Sequence, residues 1–265
     1  MLERKLTRAV SALAAVSLWA CVLVALPAAA LPLVEFYVNG VLYDSYTCGD
    51  AEFDCVSDPK LDEFFVFLTD PAWEVTISAA FDPDPNIVYT ASVIDKGAAN
   101  AFGFIFLQDI VSVLSPGAAS HDYSASSTDV SSADGVLVTP GAPPAGIPQD
   151  GTDQGPLPDE MSVFTLSKDG GATYLNAGLD LGPAFNGAAG INTSDTHGPF
   201  DESGPGPAGP GSFDQMRIDV NFAMDGSGDI YTFGGTAEIV VPEPLSMSLL
   251  GLGLAALGLA GRRRS

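Results

Sequence analysis

Asp225, Ser227 and Asp229 stand at alternate positions of the stretch DGSGD. Oxygen-bearing side chains at positions 1, 3 and 5 are how a calcium loop begins. The rest of such a loop is missing. Ile230 occupies position 6, where the sharp turn needs glycine, and Thr236 occupies position 12, where a bidentate acid belongs. The stretch is therefore not an EF-hand. It reads as a tight turn between strands, with calcium held by these three oxygens as the alternative. Cys48 and Cys55 lie in CGDAEFDC. They form an even pair once Cys21 is removed with the N-terminal segment described below, and in an oxidising compartment such a pair reads as a disulfide. Closing an 8-residue loop contributes on the order of 2.5 kcal/mol in the chain-entropy model. A metal at the two cysteines lacks a third ligand nearby. The two histidines, His121 and His197, sit in Ser- and Gly-rich surroundings and read as exposed loop residues. There is no nucleophile elbow, phosphate loop or zinc-protease motif. The chain reads as a non-enzyme. Asn192 heads a glycosylation sequon, NTS.

Charge narrows the partners. Residues 31–241 hold 31 acidic residues and only four basic ones, Lys60, Lys96, Lys168 and Arg217. A field of that sign repels nucleic acid and anionic lipid headgroups. It suits an acidic, self-repelling surface that attracts cations diffusely.

The ends of the chain locate it. Arg4, Lys5 and Arg8 precede an apolar stretch from Ala9 to Leu26, then Pro27 and the small residues Ala28-Ala29-Ala30. That is the anatomy of a signal peptide, residues 1–30, with signal peptidase cutting after Ala30 and reading Ala28 and Ala30. At the other end, residues 245–261 carry no charge over 17 positions. As a helix this is about 25 Å long, near the lower limit for a membrane span. Arg262, Arg263 and Arg264 follow as a cytoplasmic stop.

The exported region must be built from strands. WEVTISAAF puts Trp73, Val75, Ile77, Ala79 and Phe81 on one face, and FDQMRIDVNFAM does the same with Met216, Ile218, Val220, Phe222 and Met224. Residues 213–241 read as a hairpin about DGSGD. LVEFYV and VLYDSY read as another about Asn39-Gly40, the pair preferred in a type I′ turn. Further strands are expected at 61–69, 87–95, 101–114, 135–139, 161–167 and 173–181. Between the two membrane segments there is no amphipathic helix. This is an all-β pattern, an antiparallel β-sandwich ectodomain over residues 31–241. Pro- and Gly-rich stretches at 140–158 and 198–211 are expected to be loops within one domain.

Val241-Pro242-Glu243-Pro244, the segment LLGLGLAALGLAG and the closing arginines resemble the sorting signal of PEP-CTERM proteins, which are exported proteins of Gram-negative bacteria that make exopolysaccharide. The resemblance covers about the last 25 residues. It implies recognition of Pro242, Glu243 and Pro244 by exosortase, processing there, an inner-membrane intermediate held by residues 245–261, and final release or attachment at the cell surface. The physics agrees. Each proline disfavours helix at the residue before it, so the triplet is held extended outside the membrane. The leading expectation is a non-catalytic surface or matrix protein associated with exopolysaccharide and biofilm. A carbohydrate-binding β-sandwich, with or without calcium, is the second reading. An envelope hydrolase is a third, without a motif to support it. Trp73 is expected in the core, which leaves the second reading short of exposed aromatic rings.

Overall fold

The computed structural model of the chain describes residues 32–47, 50, 53–54, 62–82, 85–113, 118–130, 135–145, 147–148, 160–187, 190, 192–206 and 213–240. The signal peptide, Cys48, Cys55, the whole 149–159 stretch and the whole 241–265 tail lie outside the described residues.

Fifteen strands are found among the described residues. In chain order they are β1 (Leu33–Val38), β2 (Val41–Thr47), β3 (Phe53–Asp54), β4 (Asp62–Thr69), β5 (Trp73–Asp82), β6 (Asn86–Asp95), β7 (Ala98–Val113) and β8 (Ala118–Asp129). They continue as β9 (Leu137–Pro140), β10 (Ser162–Ser167), β11 (Tyr174–Asn176), β12 (Phe185–Asn186), β13 (Thr193–Gly204), β14 (Phe213–Gly226) and β15 (Asp229–Val240). All ladders are antiparallel. Sheet I runs β11-β10-β14-β7-β1-β2, with β9 beside β14 and β12 beside β9. Sheet II runs β13-β8-β15-β6-β5-β4-β3.

The β1–β2 hairpin forms as expected. Asn39 and Gly40 both have positive φ, 52° and 75°, as a type I′ turn requires. The alternation in β5 also translates directly, with Trp73, Val75, Ile77, Ala79 and Phe81 all buried. The expected hairpin at 213–241 does not form. β14 lies in sheet I and β15 in sheet II, so DGSGD is a corner between sheets. The β6–β7 connection is a second corner beside it. Gly228 N–H donates to Asp95 O at 2.6 Å and Ser227 N–H to Gly97 O at 3.0 Å. Gly226 is needed here because a Cβ would collide with Gly97 O. Alternation reports which face of a strand is buried, and says nothing about which sheet the strand joins.

Two strands stand where loops were expected. β8 and β13 pair along the edge of sheet II from Ala119↔Gly204 to Asp129↔Thr193. The expected loop 198–211 thus begins as strand, through a bulge at the cis Gly198–Pro199 bond. Pro140 ends β9 opposite Phe222, and residues 141–145 and 147–148 then run irregularly. The 173–181 strand shrinks to Tyr174–Asn176, with an isolated bridge from Leu181 to Ser162.

Aromatic rings fill the space between the sheets. Phe104 and Phe222 of sheet I meet Phe233 of sheet II at 5.1 and 5.5 Å between ring centroids. Tyr89 stacks on Phe106 at 5.0 Å, and Phe36 meets Trp73 at 5.3 Å. Each such ring, fully buried, contributes about 1.5–3 kcal/mol.

Candidate functional site

The two histidines are in the core, not in loops. His121 is 1% exposed on β8, and His197 is 7% exposed on β13. The His121 Nδ1–H donates to Leu179 O at 2.7 Å. A carbonyl can only accept, so Nε2 of the neutral ring is the acceptor. It faces Tyr89 Oη and Ser162 Oγ, each at 3.1 Å, and those two hydroxyls lie 3.0 Å apart. A serine on a histidine whose far nitrogen is held by an oxygen has the outline of a nucleophilic pair. Here Ser162 is fully buried between the sheets and Tyr89 is 2% exposed, so no substrate reaches the hydroxyl. The triangle is a clamp between sheet II (Tyr89, His121) and sheet I (Ser162). Burial pushes the His121 pKa down to about 4 and that of His197 to about 4. His197 stacks on Phe185 at 4.6 Å.

The carboxylates of the DGSGD corner are drawn to separate partners. Asp225 accepts from Leu137 N–H at 3.3 Å, and Asp229, fully buried, accepts from Val130 N–H at 3.3 Å. Asp229 pairs with Asp95 on β6, and its neighbour Ile230 pairs with Thr128, next to Asp129 on β8. Asp95, Asp229 and Asp129 thus form a buried row at one end of sheet II. Each ties down a turn. Asp95 accepts from the backbone and side-chain N–H groups of Asn100, and Asp129 accepts from Gly135 and Gly190 N–H. Burial raises the Asp95 carboxyl, against the pull of its Asn100 hydrogen bonds. Among the described residues no group of three or more His, Cys, Asp or Glu side chains is placed to hold a metal ion.

The outer faces of the sheets carry the remaining chemistry. On sheet I, Arg217 makes a bidentate pair with the fully buried Asp219 at 2.6 and 2.7 Å and lies 5.0 Å over the Tyr174 ring. Burial raises the Asp219 carboxyl while Arg217 opposes the rise. Residues 141–145 and 147–148 cover this face. Gly141 N–H donates to Asn221 O, and Asn176 Nδ2 donates to Pro148 O, both at 2.9 Å. A cavity of about 270 Å³ remains between Tyr37, Gly103, Asn221 and Pro143-Pro144.

Among the described residues nothing covers the outer face of sheet II. One cross-strand row reads Phe67, Thr76, Ser92, Thr232, Ser126 and Thr196. The next reads Phe65, Ser78, Thr90, Gly234 and Ser124. Neither row contains a charge. Ser92 Oγ and Thr232 Oγ1 are hydrogen-bonded at 2.9 Å, and Thr90 Oγ1–H donates to Phe233 O at 3.0 Å. Gly234 leaves a gap in the second row and floors a trough of about 390 Å³ bounded by Thr90, Ser124, Thr196 and Pro199. Phe65 and Phe67 are 61% and 56% exposed. Sequence reasoning missed them because DEFFVFLT is apolar on both faces of its strand and reads as wholly buried.

Residues 240–264 match the PEP-CTERM protein-sorting motif. The chain carries a PEP-CTERM sorting signal. The match includes Pro242, Glu243 and Pro244 and the arginines Arg262–Arg264, and implies an exported protein that exosortase sorts through a membrane-anchored intermediate. It begins at the last residue of β15, in the middle of sheet II. No curated protein matches the chain. Among solved structures, the enzymatically active domain of tailspike protein 4 of bacteriophage CBA120 is 14% identical over 68% of this chain and 19% of its own, with a TM-score of 0.26. The chain thus spans about a fifth of that protein. TmCBM61 in complex with β-1,4-galactotriose is 10% identical over 68% of this chain and 88% of its own, with a TM-score of 0.24. Likeness this slight carries no argument about activity.

Proposed function

We propose that this is an exported, non-catalytic protein of the cell surface or extracellular matrix, associated with exopolysaccharide. In this reading signal peptidase removes residues 1–30, and the tail parks the protein in the inner membrane. Exosortase then processes it at Pro242-Glu243-Pro244. The observation that carries the reading is the match over residues 240–264, which begins at the last residue of the final strand. In this reading a cleft that binds extended chain reads the triplet before the helix begins. A Cys48–Cys55 disulfide belongs to the same proposal, since the exported region would fold in an oxidising compartment. The test is Glu243→Ala in the native host. Export and insertion should be retained, because the apolar run and the arginines are untouched. Unprocessed protein, heavier by its tail, should accumulate in the inner membrane. Normal size and surface delivery of the variant would defeat the sorting proposal.

A second reading, carbohydrate binding by the sandwich, is favoured by one observation: two exposed phenylalanines stand at the end of two charge-free rows of hydroxyls. Calcium at Asp225, Ser227 and Asp229 would belong to that reading. Its mark is a saturable calcium-induced rise in Tm that Asp225→Asn with Asp229→Asn abolishes.

A further inference from the structure

We propose that the outer face of sheet II binds a neutral, extended polysaccharide chain lying across the strands, from Phe65 and Phe67 to the trough at Gly234. The proposal rests on the carbohydrate-binding reading and names its surface and ligand class.

The dimensions suit a linear polymer. The first row crosses six strands, so five strand spacings of about 4.8 Å give a platform about 24 Å long. The two rows lie about 7 Å apart along the strands, wide enough for one chain. The phenylalanines are two residues apart on β4, so their rings project side by side at one end. An aromatic face carries negative charge and attracts the slightly positive C–H edges of a pyranose ring. At the other end the missing side chain of Gly234 lets a ligand approach the backbone, a recurring use of glycine inside a strand. A side chain would not fit there without movement, because a Cβ would stand 2.8 Å from Tyr89 O. The hydroxyls between donate and accept, as sugar hydroxyls do. The Ser92–Thr232 bond fixes a cross-strand pair in place before any ligand arrives.

Charge selects the polymer. The chain's net charge is −23, yet the two rows hold no carboxylate. Acids line one edge instead: Glu63, Asp122 and Asp201 stand beside the second row, whereas Glu74, beside the first, is ion-paired with Lys96 at 2.7 Å. A polyanion would meet that rim and be repelled, whereas a neutral chain meets only hydroxyls and rings. An apolar protein surface fits the face poorly, since most of its positions are hydroxylic.

The test is native affinity electrophoresis of the full chain, extracted in mild detergent, through gels holding hydroxyethylcellulose, dextran or mannan, with alginate as the acidic comparison. At least one neutral polymer should retard the wild type and alginate should not. Phe65→Ala with Phe67→Ala should weaken the retardation at least tenfold, while Tm stays within a few degrees because both rings are exposed. Thr232→Lys, which puts a cation on the platform without touching the rings, should also weaken it. Retardation by a neutral polymer that both variants leave unchanged would overturn this face while leaving carbohydrate binding in place. No retardation by any polymer would overturn both. A double variant that sediments as a smaller species, with retardation unchanged, would make the phenylalanines a self-association surface and overturn the proposal.

Discussion

The two outer faces of this sandwich have been treated in opposite ways. That of sheet I is covered by residues 141–145 and 147–148, and it buries an ion pair, an Asn amide and the apolar side chains of Ile105 and Val163. That of sheet II is uncovered among the described residues, and its two central rows are neutral hydroxyls in register across the strands, with charged side chains only at their edges. A buried charge must be paired to persist, so the covered face is committed to its own interior. Exposed hydroxyls cost nothing to leave in water and remain free to exchange water for a ligand. The difference separates a face that maintains the fold from one that is available for work outside it.

The comparison is sharpest when equivalent changes are made in different places. The largest loss should come from the interior that both sheets share. Phe222→Ala removes a ring that touches Phe102, Phe104, Tyr231 and Phe233, and should cost about 3–5 kcal/mol in urea unfolding. On the covered face, Asp219→Ala strands the Arg217 guanidinium, whose side chain is only 13% exposed, and should cost about 3 kcal/mol. A loss below about 1 kcal/mol would mean that water reaches Arg217 and that the cover over sheet I is loose.

Acid should also act on the interior. Both histidines have folded pKa values near 4, lowered by burial from an ordinary 6.5. Between those values the unfolded chain binds protons that the folded chain refuses. Their contribution is therefore fully present above pH 6.5 and is lost as pH falls towards 4. For His121 the full loss is about 3 kcal/mol. Rising protonation of Asp95 and Asp219, whose pKa values burial raises, offsets part of it at the acid end. Urea midpoints between pH 7 and 4.5 should fall, and less steeply in His121→Leu. A flat profile would put the histidines in contact with solvent. The smallest effect should come from the open face: Thr76→Ala should change stability by no more than about 0.5 kcal/mol.

These contrasts were only partly legible in the sequence. β5 and β14 announce themselves because their inward positions are apolar and their outward ones polar. β8 follows the same period of two, with Ala119, His121 and Tyr123 inward and Ser120, Asp122 and Ser124 outward. Its inward set includes a histidine, a serine and an aspartate, so the alternation of polarity disappears although that of burial persists. β13 is hidden likewise by Gly198 and Pro199 at its bulge. The sorting signal was legible in full because it depends on local chemistry: two prolines, a length of apolar chain and a cluster of arginines. The hydroxyl platform was not, because its rows are assembled from six strands whose lateral order is set by pairing between distant segments.

The account's central claim concerns the tail, since an outward-facing platform matters only if the protein is exported and processed. Intact mass and N-terminal analysis of the protein recovered from the cell surface or medium tests it most directly. The account predicts a polypeptide beginning at Leu31, carrying two fewer thiols than its reduced form, and ending near Pro244 without residues 262–265. Recovery of surface or medium protein that still carries Arg262, Arg263, Arg264 and Ser265 would contradict it.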